Sequence, residues 1–209
     1  MRNFLLDALL FLLFVAELSF HHLPKVLHEI LGVALTAAIF LHVAINRRRL
    51  VSLTKKISPR KIFSLTTDFA LIICAAIILA SGVCISNYLF ADAVSFELRR
   101  NMTLHQLHVA LPYIMMILLG VHSGLHWREL WQWLLKIFNA EKVLRAAIVT
   151  LTVFGGVGLL MNRVGDRILF KHIFSTPATD LHAVPFALMI GGGVILFALI
   201  TFLLDKKLS

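Results

Sequence analysis

The sequence predicts an all-α, polytopic membrane protein with six transmembrane helices, and three observations predict it. Fifty-nine per cent of the residues are hydrophobic, only 15% are charged, and the mean hydropathy is +0.89, whereas a soluble domain carries an apolar share nearer half. The apolar residues form continuous runs instead of alternating, and most runs reach the roughly 20 residues that a helix needs to cross about 30 Å of hydrocarbon. Helices satisfy every backbone group within the segment, as hydrocarbon requires. Finally, fourteen of the twenty Lys and Arg residues lie in the linkers after the second and fourth runs and at the two termini. Positive residues concentrate on the cytoplasmic side, so both termini are expected there.

The runs fall near 4–20, 26–46, 65–88, 103–126, 142–162 and 183–204. The first is short and carries Asp7 and Glu17. A signal peptide is the alternative, but no small-residue cleavage site follows it, so it is taken as a retained helix. After the fourth run, the stretch WRELWQWLLKIF places Trp127, Trp131, Leu134 and Phe138 on one helical stripe and Arg128, Gln132 and Lys136 on another. That pattern suits a helix lying in the membrane interface, read here over residues 128–140, or a continuation of the fourth span. The formal charge of +9 is placed for topology and lipid headgroups, so no nucleic acid is expected. Cys74 and Cys84 share one span about 15 Å apart along its axis, too far for a disulfide.

The second and fourth runs carry the chemistry. HEILGVALTAAIFLH, residues 28–42, has a histidine at each end, and so does HVALPYIMMILLGVH, residues 108–122. Among ten histidines these are the only two pairs fourteen positions apart. Fourteen helical residues rise about 21 Å and end within roughly 40° of the starting direction. Each pair therefore shares one face and reaches both sides of the hydrocarbon. The two spans run parallel in the expected topology, so His28 meets His108 at one depth and His42 meets His122 at the other. Two neutral imidazoles at equal depth are the axial set for iron in a porphyrin, and helix bundles are a usual place for such a site. The expectation is a four-helix haem-binding bundle with two haem b groups. Gly32 and Gly120 are candidate points of close approach for the macrocycles.

On these residues the chain resembles the bacterial transmembrane di-haem cytochromes b of the cytochrome b561-like type. It is similar also to small quinone-linked membrane cytochromes of largely unknown function, often linked with flavin-based electron transfer. The matching pieces are HEILG at 28–32 through HVAIN at 42–46, SGVCIS at 81–86, and LHQLH at 104–108 through HSGLHW at 122–127. They cover about half the chain. The resemblance implies two b-type haems, quinone as substrate and a bacterial inner membrane. The first, fifth and sixth spans match nothing in that family.

The chain is thus expected to form a single membrane domain over residues 1–209, with a di-haem core at 26–127 and two accessory spans at 142–204. His126, one turn after His122, is an alternative inner ligand or a partner for a haem propionate or a quinone. His105 bears the same relation to His108. Glu29 serves either a propionate or proton-transfer role or simple exposure at the outer boundary. Asp68 is read as snorkelling to Lys61 or Arg60, with quinone proton transfer as the alternative, and Asn46 as capping its helix. His21 and His22 are assigned to a solvated turn before Pro24, and His172 and His182 to the outer surface. The leading function is an oxidoreductase or electron-transfer subunit working between quinone and an unknown redox partner protein. Membrane lipid surrounds it, and a second copy of the chain is a further candidate partner. A histidine-lined transporter or metal channel, or a structural anchor, are the competing classes.

Overall fold

In the computed structural model, residues 4–51, 58–171, 176 and 178–208 are described, and His172 lies outside them. Among the described residues the chain is all α, apart from short 3₁₀ turns and loops. Its helices are α1 (Phe4–Leu18), α2 (Lys25–Val51), α3 (Pro59–Cys84), α4 (Phe96–Arg99), α5 (Met102–Leu125), α6 (Trp127–Phe138), α7 (Glu141–Met161), α8 (Val164–Ile168) and α9 (Ala183–Leu208). Five of them, α2, α3, α5, α7 and α9, are long and apolar enough to cross a membrane. α1 has 15 residues, about 22 Å at the helical rise, which is short of a full crossing.

Local signals set several helix ends. Ser58 caps α3, its hydroxyl accepting from the Lys61 N–H, and Pro59 at the first position needs no donor. Asn101 caps α5 by accepting from the Thr103 and Leu104 N–H groups at 3.0 and 3.1 Å. α5 breaks at His126, and α6 then starts as a separate amphipathic helix. Of the two expectations for 127–138, continuation of the fourth span is therefore not what the chain does. Asn46 caps nothing: α2 runs on to Val51, and the Asn46 amide donates back to the His42 carbonyl at 2.8 Å.

Cross-links show which helix ends lie together. At one pole, Arg60 pairs with Asp205 at 2.8 Å and donates to the Leu125 carbonyl, while Phe4 stacks on Trp133. At the other, Glu29 binds the loop after α3, and His21 packs edge-on against Phe186. The long helices accordingly alternate in direction, and α2 and α5 run parallel. The first pole carries Arg47, Arg48 and Lys207, so we call it inner and the other outer.

α9 is the staff of the bundle. Phe186, Ile190, Val194 and Ala198 are each 2% exposed, and α9 packs extensively on α7 and α5. Glycines make this closeness possible. A Cβ on Gly155 would lie 2.1 Å from the Gly192 carbonyl carbon, and one on Gly192 would lie 2.1 Å from the Leu151 carbonyl oxygen. In hydrocarbon such small-residue crossings replace the hydrophobic drive with dispersion contact. α2 is the opposite case: it leans on α1 and lightly on α3, and Phe40 and Leu41 are more than half exposed.

Gly155→Ala forces α7 from α9 and is expected to destabilise the fold by roughly 1–3 kcal/mol, the usual cost of overpacking. Gly165→Ala, whose Cβ would meet nothing within 4 Å, is expected to be neutral or slightly stabilising. Thermal melts of both variants in detergent check the contrast.

Candidate functional site

α2 and α5 face each other across a gap that their histidines bridge. The His28 and His108 rings are centred 6.1 Å apart with planes at 75°, and the His42 and His122 rings are 6.5 Å apart at 73°. The residue facing His42 is His122. His126 lies one turn on, its ring 5.2 Å from that of His122. A metal–imidazole bond is about 2 Å long, so two rings sharing one metal in line have centres about 6 Å apart. Both pairs match that span. Each pair presents two imidazoles, and among the described residues no group of three or more His, Cys, Asp or Glu side chains is arranged for a metal ion.

Each ring has a polar group close to its Nδ1, aligned as a hydrogen bond at two of the four. His122 Nδ1 hydrogen-bonds Asp68 Oδ1 at 2.7 Å. His28 Nδ1 lies 2.8 Å from Glu17 Oε2, and His42 Nδ1 lies 3.0 Å from Asp7 Oδ1. In these last two the oxygen sits off the ring N–H direction, so they are close polar contacts instead of aligned hydrogen bonds. His108 Nδ1 is 3.1 Å from the Ile78 carbonyl and 3.3 Å from the Ser81 hydroxyl. An N–H at Nδ1 fixes the tautomer and leaves Nε2 as the nitrogen open to a metal. Partners of this kind are the usual outer shell of ligating histidines.

The three carboxylates come from helices whose place follows from hairpin geometry. α1 and α2 are antiparallel neighbours, so the start of α1 meets the end of α2: Asp7 reaches His42, and Glu17 reaches His28. α3 and α5 pair in the same sense, bringing Asp68 to His122 and Ser81 to His108. Asp68 thus turns inward to His122, against its expected snorkelling to Lys61 or Arg60. Asp7 and Glu17, which made the first run look doubtful as a span, are the groups that tie α1 to the histidines.

The glycines divide. Gly32 faces α1, where a Cβ would sit 3.7 Å from Glu17 Oε2. Gly120 lies on the far side of α5 from His122, and its Cβ would be 2.5 Å from Phe197 Cβ. Its place is the α5–α9 contact. Gly82, which the spacing of histidines does not single out, lies against the outer pair: a Cβ there would come within 2.9 Å of His108 Cε1.

Around the inner pair the bundle opens into a cleft between α1, α2, α3 and α5. It holds about 200 Å³ wide enough for solvent and about 1200 Å³ with its mouth included. Asp7, His42, Asn46, Asp68, His122, Ser123 and His126 supply its polar wall, and apolar side chains supply the rest. His105 is turned outward, its Nε2 2.9 Å from the Arg99 carbonyl. Glu29 is a clamp: it accepts from the Ser86 hydroxyl and from the Asn87, Tyr88 and Leu89 N–H groups at 2.7–3.3 Å.

His21 sits in the 3₁₀ turn Phe20–His22 at the outer pole, and, against the expected solvated turn, its Nε2 is buried without a partner. Burial first, then His22 and Arg167 nearby, push its pKa down to about 4 from 6.5. Between those two values the unfolded chain binds a proton that the folded chain refuses, so stability is highest above pH 6.5 and falls as the pH drops towards 4. His21→Asn is expected to make that fall shallower in melting temperatures recorded across the window; an unchanged slope would contradict it.

No protein family, curated protein or solved structure matches the chain, so the two facing histidine pairs and their carboxylate backing are what any functional reading must explain.

Proposed function

We propose that the protein is a di-haem b-type cytochrome of a bacterial inner membrane, exchanging electrons between membrane quinone and a partner protein at the membrane face. In this reading α1 completes six spans and both termini lie in the cytoplasm. The observation that carries it is the double pair: His28 with His108 and His42 with His122, at 6.1 and 6.5 Å, each ring with a polar group close to its Nδ1. Two imidazoles alone make a weak site for a bare metal ion. With four equatorial nitrogens from a porphyrin, each pair completes six-coordination.

Haem, when bound, would supply reversible one-electron chemistry, and a histidine pair on its iron would leave no open site for a small molecule. The chain's own residues do the remainder. His28 and His108 would hold the outer group, and His42 and His122 the inner one. Asp68 and the Ile78 carbonyl fix the tautomers of His122 and His108, Asp7 and Glu17 lie close beside Nδ1 of His42 and His28, and Gly82 leaves space for the His108 ring. The apolar wall of the bundle excludes water. His126 and Asn46, on the wall of the inner cleft, are placed to donate hydrogen bonds to a propionate or to a quinone oxygen.

The purified protein, reduced with dithionite, is expected to show a b-type absorption spectrum with about two haems per chain. His42→Ala or His122→Ala should remove one, and His28→Ala or His108→Ala the other, each leaving a folded chain. A protein that stays colourless when haem is supplied during expression would overturn the reading.

A further inference from the structure

The polar groups behind the four histidines are not distributed evenly. At the inner pair both rings are backed by carboxylates, Asp7 on His42 and Asp68 on His122, at 3.0 and 2.7 Å. At the outer pair only His28 has one, Glu17 at 2.8 Å, while His108 meets the neutral Ile78 carbonyl and Ser81 hydroxyl. A second asymmetry points the same way. Arg167, at the outer pole, is 5% exposed, lies 5.2 Å over the Tyr113 ring, and donates to the Asn162 and Thr176 carbonyls. No carboxylate among the described residues pairs with it. The cations at the inner pole are differently placed. Arg60 is 59% exposed and already paired with Asp205, and charges in water are screened within about 10 Å.

We propose that these charges give the chain a built-in electrical polarity, in which the inner histidine pair holds an added electron less tightly than the outer pair. The inference rests on the cytochrome reading. A carboxylate beside Nδ1 places negative charge near the metal, favouring the oxidised state, and where it accepts the Nδ1–H, as Asp68 does from His122, it also makes the imidazole a stronger donor. Two such groups act at the inner pair and one at the outer. The buried Arg167 guanidinium favours the reduced state at the outer end, in a medium where charge is poorly screened. The electron donor then belongs at the cytoplasmic face and the acceptor at the outer face. An inside-negative membrane potential drives electrons in the same direction.

Spectroelectrochemical potentiometry of the purified holoprotein tests this. Wild type is expected to show two one-electron components of different midpoint. Asp68→Asn and Asp7→Asn keep the side-chain shape and are each expected to raise the lower midpoint alone, by about a tenfold change in the reduced-to-oxidised ratio, roughly 59 mV for one electron. Glu17→Gln should raise the upper midpoint, and Arg167→Gln should lower it. If an Asn variant loses its haem, disappearance of the lower component supports the polarity and disappearance of the upper one overturns it. The polarity also fails if Asp68→Asn raises the upper midpoint, or moves neither while both haems remain. Wild-type protein with no redox-active absorbance would instead overturn the cytochrome reading, and the polarity with it.

Discussion

An imidazole inside a membrane draws polar groups to its ring nitrogens, and much of this structure follows from placing one beside each of four rings: His108 and His122 are hydrogen-bonded through Nδ1, and His28 and His42 each have a carboxylate in close polar contact. Ionisable groups at the centre of a spanning helix cost about 2.5–3.5 kcal/mol each on insertion scales. Asp7 and Glu17 lie within a turn of the ends of α1 and Asp68 in the inner half of α3, so each incurs only part of that cost, but each is still a carboxylate within an apolar run. Placed against His42, His28 and His122 they are held by the groups they hold. The pairing explains why the short α1 lies against α2, and why α3 presents Asp68 and Ser81 towards α5. Both hairpins are registered by polar contacts at two depths, and apolar side chains fill the distance between.

The bundle divides its labour accordingly. α5, α7 and α9 form a tight block in which Gly155, Gly192, Gly158 and Gly120 let backbones approach to van der Waals contact. α2 stands away from that block and carries two of the four histidines. A histidine-bearing helix that is lightly packed, opposite one that is firmly packed, leaves a slot between them without emptying the core. Met116, wholly buried on α5, belongs to the firm side.

The histidine frame was legible in the sequence because helical periodicity and membrane topology both act on residue number: fourteen positions fix face and depth, and parallel spans then pair His28 with His108 and His42 with His122. The carboxylates were harder to read, since a charge inside an apolar run resembles a defect until its neighbour in the hairpin is known. Asp68 illustrates this. Its nearest cations in sequence lie on its own helix, but its partner comes from α5, fifty-four positions away. The antiparallel pairing of α1 with α2 matches Asp7 to His42 and Glu17 to His28, so the acidic residues make sense only against the helix beside them. Gly120 misled for a related reason: it is two residues from His122, yet two residues is about 200° around a helix, and it serves the contact with α9. Gly82 carried no signal in the histidine spacing, because its importance lies in the ring of His108 on another helix.

The geometry of the pairs makes a direct spectroscopic demand. Parallel axial rings lift the near-degeneracy of two iron d orbitals, and crossed rings largely restore it. With ring planes at 75° and 73°, low-temperature electron paramagnetic resonance of the oxidised holoprotein should show two strongly anisotropic low-spin signals. His42→Ala is expected to abolish one and His28→Ala the other. A high-spin signal from the wild-type protein, or a single low-spin centre that survives both substitutions, would contradict the claim that these four histidines form two axial pairs.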